Sequence, residues 1–193
     1  MVQPVPALPA AFPALHAPHA SILKDGTRVL SRPAVRADLD EVNGLYRRCS
    51  AESRRARHLT HRSEIRPHEW ERMVDVRKAI TLLTATTTTP DEVIAMTNLI
   101  ETDPPGCAEL AVLVADAWQR RLGLGTCLVR YAASLAVLHG YSTLTAEVGA
   151  TNTRMLAILR RLDTSVPQNT SSTVSITVPL PVRHAHHDEK QRR

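Results

Sequence analysis

Aromatic residues and long apolar stretches are both scarce in this chain of 193 residues. Phe, Trp and Tyr together make up 3% of the sequence, so aliphatic side chains must fill the core. So few aromatic rings do not favour the stacking platform that single-stranded nucleic acids require. No apolar run approaches the roughly 20 residues that span a membrane. We therefore expect no membrane partner and no nucleic-acid partner, although the net charge of +5 keeps a basic nucleic-acid-binding protein as an alternative.

Cysteines are also few, which excludes a disulfide framework. Cys49, Cys107 and Cys127 are widely spaced and form no C-x-x-C pair, so we expect free thiols and a cytoplasmic protein. The histidines of His58-x-x-His61 and of segment 184–187 have no second pair and no carboxylate at a known ligand spacing. We expect no metal site. Prolines interrupt the N-terminal segment where a secretion signal needs a continuous apolar helix.

The remaining sequence predicts one domain with a segment of biased composition at each end. Residues 1–22 are rich in Pro and Ala and are expected to form a disordered leader. Residues 183–193 form a polar tail, which leaves residues 23–182 as the domain. Hydrophobic periodicity predicts the order β-α-α-β-β-β-α-β-α-β within it. The strands are predicted at 27–32, 80–86, 93–100, 108–114, 143–148 and 173–178, and the longest helix at 124–138.

Segment 109–126, ELAVLVADAWQRRLGLGT, carries the strongest functional signal. It is typical of a buried strand followed by a basic turn and the start of a helix. Free backbone N–H groups and the helix dipole make such a start a site for an anion, and a pyrophosphate fits it well. Gly123 and Gly125 allow a phosphate to approach the backbone closely, and Arg120 and Arg121 add positive charge. The alternative is a strand-to-helix turn without a ligand.

Two other glycine-rich motifs fit this turn less well. A P-loop ends in Gly-Lys-Ser/Thr, whereas Gly125 is followed by Thr126 and Cys127. A dinucleotide-binding fingerprint needs a third small residue at the position of Leu128. The turn therefore favours neither of these phosphate-binding classes.

Arg120-Arg121-Leu122-Gly123-Leu124-Gly125 resembles the acetyl-CoA-binding motif Gln/Arg-x-x-Gly-x-Gly/Ala of the GNAT superfamily of N-acetyltransferases. Segment 109–119 is similar to the GNAT domains of bacterial protein-lysine acetyltransferases. The resemblance implies an α/β fold with a mostly antiparallel mixed sheet flanked by helices. It also implies acetyl-CoA as acyl donor and an amine acceptor, and it leaves open whether the protein is a homodimer. The cofactor-binding residues it implies are Leu113, Val114, Arg120, Arg121, Leu122, Gly123, Leu124, Gly125, Thr126 and Asn152.

The same resemblance implies roles for three groups near the reacting atoms. Glu109 is the expected general base, because an ammonium must lose a proton before its nitrogen can attack a thioester. The alternative for Glu109 is a solvated carboxylate at a strand end. The backbone of Leu113 and Val114 is expected to hydrogen-bond the thioester carbonyl. Asn152 is expected beside the pantetheine arm, or as the N-cap of the next helix.

Several departures from the family pattern keep other functions open. Leu122 is in the position of a one-residue insertion before the first glycine of the motif. Leu159 stands where many relatives carry a Tyr that acts as general acid. Asp163-Thr164 stands where the family has a Gly-aromatic pair. A protein lysine is the preferred acceptor, and a small amine or antibiotic is the alternative. A non-enzymatic acyl-CoA-binding module is a further alternative. Seven arginines lie near the expected acceptor site, and we expect them to form a solvated basic face rather than an anion-binding surface. They are Arg47, Arg48, Arg54, Arg55, Arg57, Arg62 and Arg66.

Overall fold

The computed structural model describes residues 17–58, 63–119, 123–162, 168–169 and 172–181. The strands in these residues are β1 (His19–Ile22), β2 (Arg28–Pro33), β3 (Ala79–Thr86), β4 (Val93–Thr102), β5 (Cys107–Val114), β6 (Thr143–Gly149), β7 (Gln168–Asn169) and β8 (Thr173–Pro179). They form one sheet in the order β1-β2-β3-β4-β5-β6-β8-β7. Neighbouring strands are antiparallel except for β5 and β6, which are parallel. The mostly antiparallel mixed sheet is confirmed.

Helices cover both faces of this sheet. They are α1 (Leu39–Arg47), α2 (Ala51–His58), α3 (Pro67–Met73), α4 (Leu124–Leu138) and α5 (Thr153–Leu159). One core cluster joins Leu45 and Trp70, from α1 and α3, to Met96 and Leu113 of the sheet. A second cluster joins α4 and α5 to alternate residues of the same strands, among them Leu110. We call the two sides the α1–α3 face and the α4–α5 face.

The predicted elements agree closely with those observed where an apolar pattern marks them. Helix α4 has the predicted bounds, and Gly140 follows its C-cap with a φ of +80°, as a C′ glycine does. The predicted strands from 80–86 onward are correct to within two residues at each end. Strand β2 begins and ends one residue later than expected.

The predicted leader of residues 1–22 is wrong at its C-terminal end. His19–Ile22 form β1, which pairs with β2 around the turn at Asp25 and Gly26. The His19 ring also stacks on Tyr131 of α4, with ring centroids 4.0 Å apart. Because backbone pairing holds this edge strand and most of its side chains are exposed, no apolar alternation marks it in the sequence. Residues 1–16 and 182–193 lie outside the described residues.

Candidate active site

Strands β5 and β6 are parallel but pair only near their first residues. Residues 107–109 of β5 pair with residues 143–145 of β6. Beyond that point β5 remains paired with β4 as far as Val114, and β6 remains paired with β8 as far as Gly149. The two strands therefore diverge and leave a wedge between residues 110–114 and 146–149. We call this wedge the β5–β6 cleft.

The ladder between β4 and β5 identifies the backbone groups that face this cleft. The Ala115 N–H donates to the Ile94 carbonyl at 2.9 Å. Because alternate residues of an antiparallel strand direct their peptide groups to the same neighbour, Leu113 also pairs with β4, whereas Val112 and Val114 face the cleft. The Val114 carbonyl accepts a hydrogen bond from Gln119 Nε2 at 3.2 Å. The expected hydrogen bond from the Val114 backbone to the thioester carbonyl is thus compatible with the geometry. The second residue whose peptide groups face the cleft is Val112 rather than Leu113.

Helix α4 begins beside the end of β5 in a form suited to an anion. Its N-cap is Gly123, with a φ of +103°, and no side chain caps the helix. The first turn contains no acidic residue, so its backbone N–H groups and the positive end of the helix dipole have no anionic side chain within the turn. The predicted residues Leu124, Gly125 and Thr126 form this first turn. Arg120, Arg121 and Leu122 lie outside the described residues.

Gly125 has a packing role that the sequence did not reveal. A Cβ atom added to Gly125 would lie 3.0 Å from Ile158 Cδ1 of α5, a distance at which one of the two must move. The absence of a side chain at Gly125 therefore allows α5 to pack against the start of α4, in addition to any contact with a phosphate.

Asn152 is the N-cap of α5, one of its two predicted roles. Its Oδ1 accepts a hydrogen bond from the Met155 N–H at 3.2 Å, and its own N–H donates to the Gly149 carbonyl at 2.8 Å. These bonds hold Asn152 just beyond the end of β6. Leu159, which stands where many relatives have a Tyr, is 1% exposed in the core.

Glu109 lies at the closed end of the β5–β6 cleft and is partly buried. It is opposite Ile100 on β4 and Thr145 on β6. Its side chain is on the α1–α3 face, because residues 109, 111 and 113 alternate with the residues that contact α4 and α5. One position further along, Ala111 is opposite Asn98. Glu109 therefore lies on β5, the strand that forms one side of the cleft.

A buried polar chain lies on the same face beside Glu109. Asn98 is 0% exposed, and its Nδ2 donates to Thr81 Oγ1 at 2.8 Å. Arg57 of α2 donates from Nη2 to Asn98 Oδ1 at 2.6 Å. A guanidinium from α2 is therefore fixed on the sheet next to the strand positions around Glu109.

The prediction that the arginines form a solvated face is wrong for Arg54 and Arg57, which are partly buried, whereas Arg48 is exposed but also bonded. Arg57 bonds Asn98 as described, and Arg54 Nη1 donates to the Tyr46 and Cys49 carbonyls at the end of α1. Arg48 donates to the Val93 carbonyl at 2.6 Å and pairs with Glu92 at 3.4 Å. Arg48 and Arg57 thus tie the end of α1 and α2 to the sheet, and Arg54 ties α2 to the end of α1. Arg47, Arg55 and Arg66 are exposed, and Arg62 lies outside the described residues.

Asp116 connects the end of β5 to α2, a link that sequence reasoning missed. Its carboxylate accepts hydrogen bonds from the Ser50 N–H at 3.0 Å, Ser53 Oγ at 2.6 Å and Gln119 Nε2 at 3.1 Å. Burial by itself raises the pKa of Asp116, but the hydrogen bonds from Ser53 and Ser50 and the charge of Arg54 lower it overall. The segment that leads into α4 is thereby tied to the start of α2.

Cys49 is a buried thiol at the same junction. It is 3% exposed and its Sγ lies 3.7 Å from the Val114 carbonyl. Burial, with a smaller contribution from the Asp116 charge, raises the pKa of Cys49 to about 11. All three cysteines are free, as expected from their number and spacing.

The sequence of residues 40–163 matches the family model described as "Acetyltransferase (GNAT) family". This match covers more than half of the chain and includes the cleft, the Gly123 turn and Asn152. The chain belongs to the GNAT acetyltransferase family. It is therefore an N-acetyltransferase, whose reaction is acyl transfer from an acyl-CoA to an amine.

Solved GNAT structures share the fold at low sequence identity. The GNAT domain of S. lividans PAT superposes with a TM-score of 0.74 at 23% identity, covering 84% of this chain and 97% of that domain. The spermidine N-acetyltransferase from Vibrio cholerae, in complex with CoA and spermine, gives 0.63 at 12% identity, covering 78% and 95%. The cAMP-binding acyltransferase from Mycobacterium smegmatis gives 0.59 at 22% identity and covers 86% of this chain but 49% of that one.

No curated protein gives a significant match to the sequence. Within the residues that the structure describes, no three His, Cys, Asp or Glu side chains are grouped as metal ligands. His61 and segment 184–187 lie outside those residues. The described helices include none that is both long enough and apolar enough to cross a membrane.

Proposed function

We propose that this GNAT enzyme transfers an acetyl group from acetyl-CoA to the side-chain amine of a protein lysine, with Glu109 as general base. The observation that carries the proposal is the position of the β5–β6 cleft. The cleft has Glu109 at its closed end, and the uncapped start of α4 lies beside the end of β5, at the open end of the cleft. An extended acyl-pantetheine arm that is followed by a diphosphate matches this arrangement of a carboxylate, a backbone edge and an anion site.

Acetyl-CoA would be held by two kinds of backbone group. The N–H groups of the first turn of α4 face the diphosphate, and glycine at position 123 provides the positive φ that the turn requires. The N–H groups of Val112 or Val114 face the acetyl-pantetheine part in the cleft. A donor aimed at the thioester oxygen stabilises the negative charge that develops there, an effect worth roughly 3 kcal/mol in other acyl-transfer enzymes.

Glu109 would then prepare the nucleophile. The carboxylate accepts a proton from the acceptor ammonium, directly or through one water molecule, and the neutral nitrogen attacks the thioester carbon. The C–N bond forms, the C–S bond breaks, and CoA leaves as a thiolate that takes up the second proton lost by the acceptor nitrogen. Leu159 is buried and has no ionisable group, so we propose that the thiolate leaves without help from that position.

The preference for a protein lysine rests on the sequence of segment 109–119, and the likeness to the GNAT domain of S. lividans PAT supports it. A small amine is the second candidate, favoured by the likeness to a spermidine N-acetyltransferase. We also propose a cytoplasmic location, because three free thiols suit a reducing compartment.

The first experiment is the thermal midpoint of the protein with and without acetyl-CoA. A ligand at a hundredfold excess over its Kd adds roughly 2.7 kcal/mol to stability, which raises Tm by several degrees. No shift would contradict the proposed donor. A shift without acetyl transfer to the proteins and small amines tested would contradict both proposed classes of acceptor.

The role of Glu109 is tested by Glu109→Gln. We expect turnover at neutral pH to fall by about 100-fold or more, as removal of a general base does, with little change in the Kd for acetyl-CoA. Glu101→Gln is the matched control, because Glu101 is an exposed carboxylate on the neighbouring strand. Turnover of Glu109→Gln equal to that of the control would exclude Glu109 as the base.

A further inference from the structure

We propose that Lys24, in the turn between β1 and β2, binds the diphosphate of acyl-CoA at the start of α4. The inference rests on the proposed function, since it assigns one more contact to the same donor site. Residue 24 precedes the segment matched by the family model, which begins at residue 40. The contact thus lies outside the segment matched by that model, in the hairpin formed by β1 and β2.

Packing of the hairpin fixes Lys24 beside α4. Leu23 is 4% exposed and belongs to a core cluster with Leu124 and Leu128 of α4. The Leu23 N–H donates to the Thr27 carbonyl at 2.8 Å, and the Gly26 N–H donates to the Leu23 carbonyl at 3.0 Å. These bonds close the turn, so the backbone of residue 24 has a defined position over the helix start.

The side chain of Lys24 lies against Gly123. A Cβ atom added to Gly123 would be 3.7 Å from Lys24 Cγ and 3.9 Å from the Lys24 backbone nitrogen. Two methylene groups and the ammonium follow that Cγ atom. The ammonium can therefore reach the space in front of the first turn of α4, where the diphosphate is proposed to bind.

The local charges indicate that an anion belongs at this point. A lysine beside a helix N-terminus is electrostatically unfavourable, because the helix end is itself positive. The first turn of α4 has no acidic residue and no side-chain cap. Lys24 is exposed and has no ion-pair partner among the described residues. The neighbouring Asp25 directs Oδ1 to the Thr27 N–H within its own turn. A bound diphosphate would compensate both positive groups together.

The test compares Lys24→Met, which keeps most of the aliphatic stem, with Lys24→Arg, which keeps the charge. We expect Lys24→Met to weaken CoA binding by about tenfold or more, the usual effect of losing one charge-assisted hydrogen bond. We expect Lys24→Arg to bind CoA within about threefold of the unmodified protein, since the charge remains. Isothermal titration calorimetry provides both values, and the thermal midpoints show that the variants are folded.

Lys78→Met is the matched control, because Lys78 is an exposed lysine just before β3, at the opposite end of that strand from the turn at Lys24. The loss with Lys24→Met should be equally large for CoA that lacks its 3′-phosphate. The difference between Lys24→Met and the unmodified protein should vanish when turnover is measured with S-acetyl-pantetheine, which has no phosphate. The affinity of the unmodified protein should also fall more steeply with salt than that of Lys24→Met.

Three results would overturn the inference, and they differ in what else they affect. Equal CoA affinity of Lys24→Met and Lys78→Met would remove Lys24 while leaving the proposed function intact. A loss confined to CoA with its 3′-phosphate would assign Lys24 to that group instead of the diphosphate. No CoA binding by the unmodified protein would contradict the proposed function, and the inference with it.

Discussion

Replacing Gly123 with alanine should affect both the stability of the protein and its binding of CoA. Gly123 has a φ of +103°, and a left-handed conformation costs a residue with a Cβ atom roughly 1–2 kcal/mol. Among the described residues, the added Cβ would meet no atom closer than 3.7 Å, so the cost comes from the backbone and not from a clash. For a chain of this length, 1 kcal/mol corresponds to about 2–4 °C in Tm. We expect Gly123→Ala to lower Tm by about 2–8 °C.

Two other glycines separate the effect on stability from the effect on binding. Gly140 has a φ of +80° with open space around it, at the far end of the same helix. Gly140→Ala should therefore lose a similar amount of stability without changing CoA affinity. A Cβ atom added to Gly149 would meet no described atom within 4 Å, and the φ of Gly149 is not in the left-handed region, so Gly149→Ala should change Tm little.

Binding is measured by calorimetry with CoA well below the Tm of each variant. If Gly123→Ala displaces one backbone N–H from the diphosphate, we expect an affinity about tenfold lower than that of Gly140→Ala. Equal CoA affinities of these two variants, with equal losses in Tm, would refute the reasoning. The Gly123 turn would then be needed for folding and not for the ligand.

Two further predictions concern the junction between β5 and α2. Cys49 should react with maleimide far more slowly than the two partly exposed cysteines, because burial keeps its pKa near 11 and its thiol protonated. Mass spectrometry of labelled peptides gives the order in which the cysteines react. Labelling of Cys49 before the other two would contradict its burial. The pKa of Asp116 is lowered in the folded state, so its stabilising effect is present above the unfolded value of about 3.9 and is lost as pH falls through the folded value. Asp116→Asn should thus be less stable than the unmodified protein at pH 7, by at most about 1 kcal/mol because the carboxylate is exposed and screened by solvent. This difference should shrink as the pH falls through the folded pKa of Asp116, and an unchanged difference would show that the carboxylate charge is not responsible.

Much of the fold could be predicted because its core elements carry local signals. Helix α4 combines a regular aliphatic stripe with a glycine at each end, and β5 is a continuous apolar run. Strand β1 carries no such pattern, because it is an edge strand with mostly exposed side chains. Its position depends on backbone pairing with β2, which periodicity does not report.

The contacts of the site were harder to predict than its location. The Gly123 turn and Glu109 could be found from the motif, but the partners of Arg57 and Asp116 lie 41 and 66 residues away in sequence. Lys24 approaches Gly123 only because a hairpin near the N-terminus packs on the start of α4. Such pairs depend on the tertiary structure, and neither residue type nor spacing indicates them.

Because β5 diverges from β6, the backbone of β5 beyond Glu109 forms a strand edge inside the sheet instead of at its border. Exposed edge strands normally attract strands of other proteins, but here β6 and its neighbours stand beside the open backbone and exclude a second sheet. What can pair with Val112 and Val114 is a single thin chain that carries amide groups of its own. The pantetheine arm of acyl-CoA is such a chain, and its binding, as proposed, would add hydrogen bonds to cleft-facing N–H groups that pair with no strand among the described residues.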